Sequence, residues 1–231
     1  MTFVLVPGAW HGAWVWHGVA RRLVEAGLPA LPLTMPGLAF GDDPRGVRLT
    51  DAVDHLVAEI ERHDLRDVVL VGHSWGGGPI TAAAHRIPER VAKVVYYSAW
   101  VPLRGVSMND ELSPENAAYV RSLVDQGGTV PLYFEAVQQL LMQDEPEALQ
   151  RVAFDLMTPQ PGAYMLEAFD VGPVTALGIP AAFVLAERDR ALARPGEEFA
   201  ARVDTKPIMV PGTHESLLTH PAELAEALLG A

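Results

Sequence analysis

Short apolar runs alternate with segments of helical periodicity along most of the chain. The runs lack the polar alternation of a strand with one face in water, which is typical of strands buried on both sides. This alternation of buried strands and helices indicates βαβ units around a parallel sheet. We therefore predict an α/β fold with a mostly parallel six-stranded sheet flanked by helices, its strands at 3–6, 30–33, 67–71, 93–98, 181–186 and 207–210.

The segments between these runs carry apolar residues at helical spacing. Val15, Val19 and Leu23 recur every four residues and so share one face of a helix. Thr50 precedes a second apolar face and is expected to be the N-cap of its helix. Pro221 is expected in the first turn of the last helix, where a backbone N–H has no partner to lose.

Residues 104–172 interrupt the alternation, because no strand is evident there and the pattern is helical throughout. A helical block inserted between two strands of a parallel sheet is expected to form a lid over the ends of the strands. We accordingly assign 1–103 and 173–231 to an α/β core and 104–172 to the lid. The alternative is that residues 104–172 form a separate small domain.

A glycine-rich turn follows the run at 67–71 and carries the sequence Gly72-His73-Ser74-Trp75-Gly76. This is the G-x-S-x-G pattern placed between a strand and a helix, where a tight turn lifts a serine hydroxyl above the sheet. Glycines two residues before and after the serine let the chain pass close to itself. The pattern favours Ser74 as a nucleophile, although a glycine-rich turn with an ordinary serine is the alternative.

The loop after the first strand offers a second element of an acyl-transfer site. Such a site needs two backbone donors aimed at the developing oxyanion, and we expect them to be the N–H groups of Ala9 and Trp75. Gly8, Trp10 and His11 lie beside Ala9 and are expected to line the substrate pocket. For His11, bracing the oxyanion loop is the alternative role.

His214 follows the last strand, at the edge of the sheet where open α/β folds build their sites, and is the expected general base. The base needs a carboxylate on its far nitrogen. Asp189 lies in the loop after the fifth strand and is our choice, with Glu187, closer to the strand end, as its rival. The resulting order along the chain is Ser, Asp, His. No histidine pair has the spacing of a metal site, and we expect neither a metal nor a cofactor.

Composition and charge narrow the partners. Hydrophobic residues make up 49% of the chain and charged residues only 20%, so the chain has enough apolar side chains to bury a full core. The formal net charge of −12 repels phosphate backbones and anionic membranes, so we expect neither nucleic acid nor a membrane as a partner. There are no cysteines, and neither a signal peptide nor a membrane-spanning run is evident, so we expect a cytoplasmic protein. A homodimer is left open.

With these residues in place, the chain resembles the plant methylesterase and hydroxynitrile lyase branch of the α/β-hydrolases and its bacterial esterase relatives. The resemblance rests on residues 3–14, 72–77, 97–102 and 211–214. It implies the α/β-hydrolase fold, a serine esterase activity on a small-molecule ester and no cofactor. Pro7 departs from the family, which usually has histidine there.

The resemblance also supplies the functional alternatives. Lyases of the branch typically have threonine where Gly8 stands and lysine where Glu215 stands, directly after the base. Both differences favour a carboxylic-ester hydrolase acting on a small or medium, largely apolar substrate through an acyl-enzyme. A ligand-binding or other acyl-transfer protein on the same fold is the main alternative, ahead of a hydroxynitrile lyase.

Overall fold

Six strands form one sheet in the computed structural model, which describes residues 1–231. The strands of the chain are β1 (Thr2–Val6), β2 (Ala30–Pro32), β3 (Val68–His73), β4 (Val91–Tyr97), β5 (Thr129–Val130), β6 (Gln160–Pro161), β7 (Ala181–Ala186) and β8 (Ile208–Val210). The sheet has the order β2-β1-β3-β4-β7-β8, and every neighbouring pair in it is parallel. The six predicted strands are therefore confirmed, each end lying within two residues of its expected place.

Helices connect the strands and cover the sheet. The α-helices are α1 (His17–Glu25), α2 (Leu49–Arg62), α3 (Gly77–Arg86), α4 (Pro114–Gly127), α5 (Phe134–Ala136), α6 (Glu147–Leu156), α7 (Gly162–Leu166), α8 (Gly196–Ala201), α9 (Ser216–Thr219) and α10 (Pro221–Gly230). Short 3₁₀ segments lie at Ala13–Trp16, Ser74–Gly76, Pro88–Arg90, Asn109–Glu111 and Val174–Leu177, and a π-helical turn at Val137–Leu141 continues α5. None of these helices is long and apolar enough to cross a membrane.

The core lies on both faces of the sheet, because successive side chains of a strand point to opposite sides. In β1, Val4 and Val6 pack on the face covered by α2, α3 and α8, where the larger apolar cluster lies. Phe3 and Leu5 pack on the other face, against α1 and α10. Two-sided burial explains why the strands read as unbroken apolar runs.

The start of α2 differs from the prediction by two residues. Thr50 lies inside the helix, and the N-cap is Arg48. The backbone N–H of Arg48 donates to Asp51 Oδ2 at 2.8 Å, so a carboxylate in the first turn satisfies a backbone group that the helix leaves free.

Residues 104–172, which we call the inserted segment, leave the sheet after β4 and return before β7. Its two ends meet, since the N–H of Gly105 donates to the carbonyl of Phe169 at 2.9 Å. The segment holds α4 to α7, but it also holds β5 and β6, which pair antiparallel. The expectation of helices only was therefore wrong at this point, because strands of two residues carry no periodicity to detect. That the segment acts as a lid stays a prediction.

Candidate active site

Ser74 lies on the sharp turn between β3 and α3. Its φ of +53° is in the left-handed region that residues with side chains seldom adopt. The flanking glycines are required by space: a Cβ on Gly72 would lie 2.6 Å from the carbonyl oxygen of Gly76, and one on Gly76 would lie 2.6 Å from that of Pro7. The G-x-S-x-G pattern thus has the strained strand-to-helix geometry that its spacing predicts.

His214 and Asp189 meet beside this turn. His214 Nδ1 lies 2.8 Å from Asp189 Oδ2, and both side chains are buried. Asp189 Oδ1 accepts the N–H groups of Ala191 at 2.8 Å and Leu192 at 3.4 Å, which fixes the carboxylate. The rival carboxylate, Glu187, is exposed and makes no side-chain hydrogen bond to the histidine. The structure therefore brings Asp189, and not Glu187, to His214.

The two groups stabilise each other's charged form. Burial alone would raise the pKa of Asp189, but the His214 charge and hydrogen bond, with donors from Ala191 and Ser98, outweigh it and lower that pKa. Burial alone would lower the pKa of His214, but the carboxylates of Asp189 and Glu215 outweigh it and raise that pKa. An imidazolium formed during a reaction would therefore be stabilised where it stands.

Ser74 and His214 line one cavity of about 280 Å³. Fifteen of its nineteen lining residues are hydrophobic, most of them come from the inserted segment, and none is lysine or arginine. Tyr119 and Tyr133 supply polar groups at its wall. No hydrogen bond joins the Ser74 hydroxyl to the His214 ring here, and in unliganded enzymes this contact is often long.

The predicted pocket residues divide. Trp10 lines the cavity, but Gly8 and His11 do not, which corrects that expectation. Gly8 lies beneath the site, where a Cβ would come 2.9 Å from His73 Nδ1 and 3.0 Å from Ser74 Cβ. His11 is 1% exposed and is not among the residues that line the cavity.

His11 faces the oxyanion loop and a buried carboxylate, which agrees with the bracing alternative. Its Nδ1 lies 2.6 Å from the carbonyl oxygen of Ala9 and therefore donates to it. Its Nε2 lies 3.5 Å from Glu215 Oε1, and neither carboxylate oxygen of Glu215 has a hydrogen-bond partner. Sequence reasoning noticed Glu215 only as a charge and missed that its side chain is fully buried.

The two residues predicted to donate to the oxyanion, Ala9 and Trp75, differ in whether their side chains reach the cavity. Ala9 lines the cavity. The Trp75 side chain is fully buried, stacks on Tyr164 with ring centroids 4.4 Å apart and donates its indole N–H to the Tyr164 carbonyl at 2.9 Å. Trp75 therefore does not narrow the cavity with its ring, and only its backbone is available to the site. The oxyanion role of both N–H groups stays a prediction.

One group of side chains resembles a metal-binding set. Ligand atoms of His73, His214 and Glu215 lie within 4.8 Å of one another, all buried. However, the His214 ring is bound to Asp189, and His73 Nε2 donates to the His214 carbonyl at 3.2 Å. His73 also stacks on Tyr97, so it supports the base loop from below. The expectation of no metal site stays a prediction.

Comparison with known proteins places the chain in a family. The profile described as "Alpha/beta hydrolase family" matches residues 3–227. A carbendazim-hydrolyzing esterase of Nocardioides sp. (strain SG-4G) is 40% identical over 109 residues, which are 46% of this chain and 45% of that protein. A pheophorbidase of Raphanus sativus is 36% identical over 109 residues, covering 42% and 38% of the two chains. Each match thus spans less than half the length of these curated relatives.

A solved structure matches over the full length. It is an extracellular α/β-hydrolase from a Paenibacillus species, described as sharing structural and functional homology with tobacco salicylic acid binding protein 2. It superposes with a TM-score of 0.93 at 25% sequence identity and covers 100% of this chain and 98% of its own. Plant methylesterases and an α-hydroxynitrile lyase of Arabidopsis thaliana also match, which confirms the resemblance to that branch.

Proposed function

The chain belongs to the alpha/beta hydrolase family, and on that premise we propose that it is a serine esterase acting on a small or medium, largely apolar ester. One observation carries the proposal. Ser74 and His214 line the same apolar cavity, and His214 Nδ1 is hydrogen-bonded to Oδ2 of the buried Asp189 carboxylate at 2.8 Å. Relatives with esterase activity in their names support ester hydrolysis at the level of the family.

In the first half of the proposed reaction, the Ser74 hydroxyl attacks the ester carbonyl carbon, and His214 Nε2 takes the hydroxyl proton. The carbonyl oxygen becomes an oxyanion that the N–H groups of Ala9 and Trp75 stabilise. The bond to the alcohol oxygen then breaks, and the imidazolium returns its proton to the departing alcohol. The product is an acyl group on Ser74. Asp189 keeps the imidazolium oriented throughout.

In the second half, water attacks the carbonyl carbon of the acyl group, and His214 accepts a proton from the water. The second oxyanion then collapses, the bond from the acyl carbon to Ser74 Oγ breaks, and the imidazolium returns its proton to Oγ. The carboxylic acid leaves and the Ser74 hydroxyl is restored. The inserted segment acts as the lid in this scheme, because it supplies most of the apolar wall around the acyl group. The absence of cationic side chains from the wall favours a neutral substrate over one with a free carboxylate.

Hydroxynitrile lyase activity is disfavoured at two positions. Gly8 lacks the hydroxyl of the threonine that the lyases have there, and a Cβ at this position would lie only 2.9 Å from His73 Nδ1 and 3.0 Å from Ser74 Cβ. The residue after the base, Glu215, is buried against His11 and contributes no cation to the cavity. A ligand-binding protein on this fold would share the cavity but would form no acyl-enzyme.

The test is covalent labelling of Ser74. A fluorophosphonate should add to the intact protein as a single mass shift, and p-nitrophenyl butyrate should be hydrolysed. Ser74→Ala should abolish the label and reduce hydrolysis on the order of 10⁴-fold or more, because the triad acts as a unit. Thermal melting is the control for folding. A folded Ser74→Ala protein with near-normal turnover, or cleavage of mandelonitrile without labelling, would refute the proposal.

A further inference from the structure

Trp10 follows the proposed oxyanion donor and has an unusual backbone conformation. Its φ is +68°, in the left-handed region that residues with a side chain seldom adopt. Such a conformation persists only where surrounding contacts enforce it. The contacts that enforce it here come from outside the loop.

Three hydrogen bonds tie Trp10 to the inserted segment. Its backbone N–H donates to Gln160 Oε1 at 2.9 Å. Its indole N–H donates to the carbonyl of Val130 at 2.9 Å. Its own carbonyl accepts the N–H of Thr158 at 3.0 Å. Every polar group of Trp10 is therefore satisfied by the inserted segment.

Gln160 and Val130 are brought together by the small sheet that sequence analysis missed. They are opposite each other in the β5–β6 pair, whose strands have two residues each. A sheet so short has little stability of its own. The pairing instead places the two residues that bind Trp10 side by side.

The Gln160 side chain is fully buried, yet its Nε2 has no hydrogen-bond partner. A buried donor without a partner costs stability, so an amide is not the choice that maximises stability at this position. Only the oxygen of the Gln160 amide forms a hydrogen bond, which it accepts from the backbone N–H of Trp10. This points to a role in placing the loop.

The peptide that joins Ala9 to Trp10 is consequently held at both ends. His11 Nδ1 donates to its carbonyl oxygen at 2.6 Å, and Gln160 Oε1 accepts from its N–H at 2.9 Å. These two hydrogen bonds anchor the carboxyl side of Ala9. The Ala9 N–H, which must point at the oxyanion, is then oriented relative to a fixed peptide plane by the two backbone torsions of Ala9 itself.

We propose that Gln160 is a positioning residue that holds the oxyanion loop in its active shape from the inserted segment. The inference rests on the proposed esterase function and assigns the segment a part in the chemical step besides enclosing the substrate. Loss of the Gln160 acceptor should therefore lower kcat more than it raises KM, because the donor geometry matters most in the transition state.

The experiment compares Gln160→Met with Gln150→Met. Gln150 is a matched control, since it is also a buried glutamine of the inserted segment, and its Nε2 donates to the Met142 carbonyl at 2.9 Å without touching Trp10. Gln160→Met should reduce kcat by about 10- to 100-fold with KM changed less than about threefold. Gln150→Met should leave kcat close to wild type. Both melting temperatures are measured.

A trifluoromethyl ketone that forms an oxyanion on Ser74 gives a second readout. Its inhibition constant should rise with Gln160→Met by the factor by which kcat/KM falls, whereas the affinity for the corresponding secondary alcohol should not change. Gln160→Asn is the second variant, because its shorter side chain cannot reach the Trp10 N–H, and it should show the same loss if Gln160→Met does not fold.

The outcomes separate the two proposals. If the wild type turns over with Ser74 and the Gln160 variants keep the kcat of Gln150→Met, the positioning role is wrong and the esterase stands. Equal losses in all variants that follow the melting temperatures would also overturn the positioning role. If the wild type shows no turnover that depends on Ser74, the esterase proposal fails and this inference fails with it.

Discussion

Two histidine–carboxylate pairs lie next to the His73 ring, and they differ in their hydrogen bonds. His214 and Asp189 are joined by a 2.8 Å hydrogen bond. His11 and Glu215 are 3.5 Å apart with no hydrogen bond between them. The side chains of both pairs are buried, and Glu215 directly follows His214 in the chain.

The difference teaches which pair can move a proton. In the first pair, one ring nitrogen is bound to the carboxylate and His214 still lines the cavity, so a nitrogen remains for the substrate side. In the second pair, His11 Nδ1 is committed to the Ala9 carbonyl and Nε2 faces Glu215, which leaves no nitrogen for a substrate. Both pairs consist of the same kinds of residue, and what distinguishes them is which ring nitrogens of the histidine already have a partner.

The largest expected effect separates the carboxylates near the base. Asp189→Asn should lower kcat/KM on the order of 10³- to 10⁴-fold, because an amide neither stabilises the imidazolium nor fixes the tautomer. Glu187→Gln is the matched control and should change activity less than about twofold, since its side chain is exposed. Steady-state kinetics on p-nitrophenyl esters measures both. Losses of similar size would transfer the role of the acid to Glu187.

A smaller effect is expected from the second pair. Glu215→Gln removes the charge opposite His11 but keeps the shape, and it leaves the hydrogen bond from His11 Nδ1 to the Ala9 carbonyl in place. Because neither carboxylate oxygen of Glu215 has a hydrogen-bond partner, the substitution breaks no hydrogen bond, and we expect the free energy of unfolding to change by less than about 1 kcal/mol. The reduction in kcat should be about tenfold or less, far below that of Asp189→Asn.

Chemical denaturation and kinetics on the same preparations check this pattern. Glu223→Gln is the control, since Glu223 is exposed in the first turn of α10. A loss of activity with Glu215→Gln as large as that with Asp189→Asn would show that the second pair takes part in the chemistry.

Much of this site could be predicted from the sequence, for physical reasons that apply to particular residues. Two-sided burial makes the strands visible as apolar runs, so the turn after β3 and the loop after β8 could be located. Ser74 and His214 could be chosen as candidates because they lie in that turn and that loop, and the carboxyl ends of parallel strands meet at one edge of the sheet. The glycines around Ser74 are specified by contacts within a few residues, which a local pattern records.

What sequence reasoning missed depends on contacts distant along the chain. Gln160 and Trp10 are 150 positions apart in the chain, and no sequence pattern near either residue predicts the hydrogen bond between them. The direction of the His11 ring and the burial of Glu215 are likewise set by their meeting in the folded core. The placement of Gly8 under His73 and Ser74 also needed coordinates, because a glycine next to a site is as common in its wall as in its support.

The smallest expected effect concerns the pH dependence of the base. His214 works only as the neutral imidazole, and its pKa is raised above the usual value because the carboxylates of Asp189 and Glu215 outweigh the effect of burial. Activity should therefore be present at high pH and be lost as the pH falls through this raised value. Removing the Glu215 charge removes one of the causes that raise the pKa, so Glu215→Gln should move the acid limb of the kcat/KM profile to lower pH.

The other groups around His214 do not obscure this test. Burial, with the charges of His214 and His11, lowers the pKa of His73 well below its usual value, so His73 stays neutral. Burial raises the pKa of Tyr97 well above its usual value, so it keeps its proton. The profile should therefore report His214, and Glu187→Gln should leave it in place. An acid limb that stays fixed or moves to higher pH in Glu215→Gln would mean that the second pair does not influence the first through its charge.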